Sequence, residues 1–130
     1  MRREGVSYEL HHIGIPTEQV RPGERYAESV DMYTSDDFSG PIPIQWHRFG
    51  PACRLAEPMR SQPHIAYKVD NLAAAIEGHI VILGPYEPID DFHVAVINNG
   101  GMPIELIETG LSDAEIWNRA GDASKASLYR

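Results

Sequence analysis

Apolar and polar residues alternate from residue 8 to 15, and this period of two predicts a first strand with Leu10, His12 and Gly14 on one face and His11, Ile13 and Ile15 on the other. Gly5 precedes it, and Pro16 and Thr17 end it. Residues 18–29 are mostly polar and contain Pro22 and Gly23, which predicts a loop with at most one helical turn. A short strand is expected at 32–35. Alternation resumes over 42–49, with Gln45, His47 and Phe49 on one face and Ile44, Trp46 and Arg48 on the other. Pro41 and Pro43 make its start irregular. Residues 50–63 carry Pro51, Pro58 and Pro63 among scattered charges, the pattern of a connection between two halves.

The second half reads β-α-β-β-β. A strand over 63–69 leads to Asp70, placed to cap a short helix over 71–77 that Gly78 terminates. The apolar run 80–83 is expected as a buried strand, with Gly84-Pro85 as a turn. Strands over 92–97 and 103–107 flank Asn98-Asn99-Gly100-Gly101, which supplies the positive φ angles of a tight hairpin. Ser112 or Asp113 is placed to cap a last helix to about Ala120 that presents Ile116 and Trp117, before a polar tail.

Composition narrows the class without changing this picture. At 130 residues the chain suits one domain, 1–130, with 42% hydrophobic and 23% charged residues close to globular averages. A net charge of -8 with scattered Lys and Arg disfavours nucleic acid as a partner. Cys53 is the only cysteine, which excludes an internal disulfide and a thiolate zinc site. No apolar segment follows Arg2 and Arg3, and the run 80–83 is too short to cross a bilayer, so neither membrane nor export is expected and the cytoplasm is the expected location.

Chemistry enters through the histidines. A lone strand histidine is ordinarily a hydrogen-bonded structural group, but His12, His64 and Glu105 fall on three separate predicted strands with inward parity. The chain also repeats itself weakly: HHIGIPT at 11–17 and PHIAYKVD at 63–70 share His-Ile followed by a small residue. The strand with His47 follows His12 at an interval similar to that separating Glu105 from His64. His11 and His79 are expected to face solvent.

Over residues 8–109, HHIGI, PHIAYKVDN and PIELIE together resemble the vicinal oxygen chelate superfamily, which includes glyoxalase I, methylmalonyl-CoA epimerase, extradiol dioxygenases and bleomycin resistance proteins. The resemblance implies an α+β fold of paired βαβββ modules forming a cupped mixed sheet, module one at about 8–50 and module two at about 63–109. Module one is degenerate and short of its helix, so a C-terminal helix with Trp117 or a second subunit would cover the exposed face. By resemblance His12, His64 and Glu105 are ligands to one divalent metal ion, with His47 at a fourth position. No thiolate is available, and Zn, Ni, Co, Mn and Fe(II) all suit such donors.

The function so implied is that of a lyase or isomerase of glyoxalase or epimerase type. It would act on a small carbonyl or hydroxy-acid metabolite through a metal-stabilised enediolate, with Glu105 and His47 as proton-transfer candidates. An Fe(II)-dependent extradiol-type dioxygenase needs only His12, His64 and Glu105 as ligands and would leave His47 free for acid-base work. A non-catalytic binding or resistance protein is the third possibility. Tyr33, Gln45, Lys68 and His93 are candidates for contacting the small-molecule substrate, and a homodimer is expected.

Overall fold

The computed structural model describes residues 2–120. The polar tail expected beyond them lies outside the described residues. Module one comprises β1 (Tyr8–Pro16), β2 (Arg25–Ala27), one 3-10 turn (Glu28–Val30), β3 (Met32–Asp37) and β4 (Ile44–Phe49). Module two comprises β5 (His64–Val69), α1 (Leu72–Ile76), β6 (Ile80–Ile89), β7 (Phe92–Asn99) and β8 (Met102–Thr109), and α2 (Asp113–Ala120) follows. The segment expected as a loop after β1 is only partly one: β2 occupies Arg25–Ala27, pairing antiparallel with β3, and the single 3-10 turn follows β2, so an irregular stretch over 17–24 stands where module two has α1.

All eight strands form one curled mixed sheet in the order β2-β3-β4-β1-β5-β8-β7-β6. The first and last strands of each module pair in parallel, β1 with β4 and β5 with β8, while β1 and β5 join the modules antiparallel. The repeat in the sequence is therefore a repeat of topology. It also brings the strands of His47, His12, His64 and Glu105 side by side as the four central ones.

Module two holds most of the apolar core. Ala95, Ile97, Ile104 and Leu106 pack with Val69 and with Leu72 and Ala75 of α1. On the other face Phe92, Val94 and Ile107 pack with Ile116 of α2 and Leu111. Covered on both sides, β7 and β8 read as continuous apolar runs. The hairpin between them forms as expected: Gly100 and Gly101 take φ of 66° and 98°, and Asn98 Oδ1 accepts from the Gly101 N–H at 2.7 Å.

Three local expectations fail for identifiable reasons. The cap of α1 is Asn71, whose side chain accepts from the Ala74 N–H at 3.0 Å; Asp70 instead accepts from the Ser7 N–H. The run 80–83 is not buried, because β6 is the sheet edge and Ile80 is 69% exposed. Gly84-Pro85 is no turn: it lies inside β6, where register shifts against β7 mark bulges and Gly84 takes φ of 85°.

Candidate metal centre

His12, His64 and Glu105 are buried and each offers a ligand atom, all within 4.8 Å of one another. His12 Nε2 lies 3.8 Å from one Glu105 oxygen, and His64 Nε2 lies 3.4 Å from the other. Backbone register explains the convergence. His12 pairs with Ala66 across β1 and β5, and Ala66 pairs with Glu105 across β5 and β8. The fully buried Ala66 thus separates His12 from Glu105 without filling the space above it.

His64 pairs with Gly14. A Cβ on Gly14 would overlap the His64 ring, so the ring lies where only glycine leaves room. The two motifs therefore interlock: the small residue two positions after each histidine lies opposite the histidine of the other module.

Burial disfavours the protonated forms of His12 and His47. Burial pushes His12 down to about 3 against the partial opposition of Glu105, and burial with the neighbouring His64 and His12 pushes His47 to about 3. Burial would raise Glu105, but His12 and His64 beside it outweigh that and hold its carboxyl down to about 2. A divalent cation between them would hold Glu105 as the anion and His12 as the neutral imidazole that ligation requires. The Nε2 atoms of His12 and His64 are buried and make no hydrogen bond among the described residues. Two orphaned imidazole nitrogens converging on an ionised carboxylate fit a divalent cation of the Zn, Ni, Co, Mn or Fe(II) group.

His47 stands beside this set. Its ring stacks on His64 with centroids 5.6 Å apart, and its Nδ1 is 3.0 Å from Thr34 Oγ1. It shares a cavity of about 20 Å³ with His64, Glu105, Tyr86 and the apolar side chains Met32, Phe49, Leu55, Met59 and Val96. Leu55 and Met59 come from the segment between the modules, so that connection also roofs the site. Tyr86 was not foreseen. Its buried hydroxyl makes no hydrogen bond among the described residues, and burial, reinforced by Glu105, raises its pKa well above the ordinary value.

Two further residues depart from their sequence-based placement. A register shift between Leu10 and His12 leaves Leu10 43% exposed and turns His11 inward, where it is buried. The His11 ring stacks on Trp117 of α2, and Phe38 packs edge-on against the same indole.

The substrate-contact candidates scatter. Tyr33 lies under the Arg48 guanidinium and against Tyr26, on the opposite side of β3 from Thr34. His93 is exposed and faces Glu87 at 3.6 Å, because its parity on β7 is opposite to that of Val94 and Val96. Neither reaches the cavity. Gln45 is buried with His47's parity but donates to Asp36, and Lys68 pairs with Asp113 at 3.5 Å.

A curled mixed sheet of eight strands with few helices, built from two such modules, has the glyoxalase-like fold. Among solved structures, the crystal structure of methylmalonyl-CoA epimerase from Mycobacterium tuberculosis is similar to this chain, with a TM-score of 0.55 and 16% identity over 82% of this chain and 91% of that one. No protein-family model and no curated protein matches the sequence. No helix among the described residues is long and apolar enough to cross a membrane.

Proposed function

We propose that the protein is a divalent-metal-dependent isomerase of epimerase type, acting on a small carbonyl or hydroxy-acid molecule. The observation that carries this reading is the buried His12-His64-Glu105 cluster with its two orphaned nitrogens, inside a fold shared with an epimerase. When bound, the cation would act as a Lewis acid on a carbonyl oxygen and so acidify the adjacent C–H.

The protein side of the chemistry falls to the cavity wall. His47, held at Nδ1 by Thr34 and lining the same cavity as Glu105, is assigned with it to proton transfer. The Tyr86 hydroxyl, kept protonated by burial, is a donor for a substrate oxygen. Among the described residues no Lys or Arg lines the cavity and its remaining walls are apolar, which disfavours a highly anionic group beside the cluster. The homodimer remains part of the proposal, to be checked by sedimentation.

The test is deuterium incorporation from D2O at carbon next to the carbonyl in a panel of small 2-oxo and 2-hydroxy acids, with Co(II), Ni(II) or Zn(II) added. Metal-dependent exchange that disappears in Glu105→Gln supports the reading. A purified protein that carries none of these ions and gains no thermal stability from them refutes it, since a cation bound to the folded state must stabilise it. That result would favour a non-catalytic binding protein.

A second reading has one observation in its favour: the gathered set is two histidines and a carboxylate, with His47 outside it, which is the donor set of Fe(II) oxygenases. Oxygen consumption with catechols and Fe(II), without carbon-proton exchange, would select it. Metal retained in His47→Ala is expected on either reading, whereas metal lost there would make His47 a fourth ligand.

A further inference from the structure

The bulge in β1 turns His11 into the protein beside His12, and the two Nδ1 atoms are 2.7 Å apart in a buried contact. One of these nitrogens must donate and the other accept. If His11 donates, His12 carries its own proton on Nε2, and His11 presents a bare Nε2 lone pair to the Asp113 carboxylate 3.8 Å away. If His12 donates, its Nε2 offers a lone pair toward Glu105 and His64, while His11 turns an N–H toward Asp113. The second arrangement suits the charge at both ends.

We propose that His11 is a positioning residue for His12, accepting its Nδ1 proton and so holding that ring in the tautomer whose Nε2 lone pair faces the cation site. This rests on the metal-centre reading above. A histidine ligand is commonly oriented by what its other nitrogen meets; here that partner is a second imidazole, itself held from the C-terminal side. Trp117 stacks on the His11 ring with centroids 5.2 Å apart and planes 8° from parallel. The start of α2 is fixed by reciprocal bonds between Ser112 and Glu115, at 3.2 Å and 3.1 Å. Helix α2 thereby reaches the metal centre through one ring. Asp113, exposed and shared with Lys68, forms the outer end.

His11→Asn and His11→Phe separate this role from packing. The Asn oxygen can take the place of Nδ1 as acceptor, whereas Phe keeps a flat ring against Trp117 and accepts nothing. Two readouts apply: Co(II) affinity by chelator competition, with the visible spectrum of the Co(II) protein, and long-range proton-nitrogen NMR of the histidine rings without metal. The wild type should show His12 as the Nδ1–H tautomer before any metal is added. His11→Phe should bind Co(II) about 10- to 100-fold more weakly with a shifted spectrum, and His11→Asn within a few-fold of wild type.

A His12 Nε2–H tautomer in the wild type overturns the proposal, as does an unchanged affinity in His11→Phe or an equal loss in both variants. Should His11→Phe fail to fold, the wild-type ring spectrum decides. A wild type that takes up no Co(II) would sink the metal reading instead, and the tautomer measurement would still decide the role of His11.

Discussion

Gly14→Ala is a one-methyl change that should cost the protein its metal. The added Cβ would fall on the Cε1, Nε2 and Nδ1 atoms of His64, all closer than real carbon contacts allow. Either the ring or β1 must move by an ångström or more to restore van der Waals distance. β1 is held between β4 and β5, so the ring is the part that yields. Overpacking of this kind costs about 1–3 kcal/mol of stability. Loss of a direct ligand should exceed the 10- to 100-fold penalty typical of groups behind the ligands, so Co(II) affinity should fall at least about 100-fold, or about 2.8 kcal/mol. Chelator competition reads the second quantity and urea unfolding of the metal-free protein the first. The pair Gly14→Ala and His64→Ala closes a double-mutant cycle. Removing the ring also removes the clash, so the double variant should be more stable than the two single losses add up to, by about 1–3 kcal/mol. Additive stabilities, or a Gly14→Ala protein that binds Co(II) as tightly as wild type, would refute the placement of His64.

Glu105→Gln keeps the shape of the side chain but removes the charge, and should abolish the rise in melting temperature that Co(II) or Zn(II) gives the wild type, read by calorimetry at matched metal concentration. The metal-free protein should lose stability as pH falls from about 6.5 toward 3. His12 and His47 are held at about 3 in the fold, so the unfolded chain binds up to two more protons in that window, a slope of up to about 3 kcal/mol per pH unit. The lowered Glu105 acts in the same direction below its ordinary range, and urea midpoints that stay level between pH 7 and 5 would contradict this account. In the β7-β8 hairpin, Gly101→Val should cost about 1–2 kcal/mol because its φ of 98° is strained for any L side chain. Gly100→Asn, at φ of 66° in open space, should cost clearly less in the same melts.

The strands that the alternation of residues placed correctly are those that pair without interruption. His47, Glu105 and the hairpin fall where a period of two puts them because β4 and β8 run regularly against β3 and β7. β1 defeats the same rule. One bulge near His11 shifts parity, so a histidine assigned to solvent becomes a buried neighbour of His12 while Leu10 goes outside. β6 defeats it differently: an apolar run looks the same in an edge strand as in a central one, since burial is decided by neighbours the run does not encode. Tyr86 stayed hidden for that reason, behind a Gly-Pro pair that elsewhere makes a turn. Tyr33 and His93 carry polar chemistry suited to a site, but register sets both on the side of their strands away from the cluster.

What the sequence did disclose about the site lay in its inert residues as much as in its reactive ones. Each half carries His-Ile followed by a residue no larger than alanine, and the antiparallel pairing of β1 with β5 sets each small residue opposite the other half's histidine. Neither a histidine nor a small residue in one half can then change alone. Enlarging Ala66 should crowd the space beside His12 as enlarging Gly14 crowds His64. A chain with this His-Ile-small pattern in only one half could form the sheet, but it would not leave room for both rings to face one carboxylate.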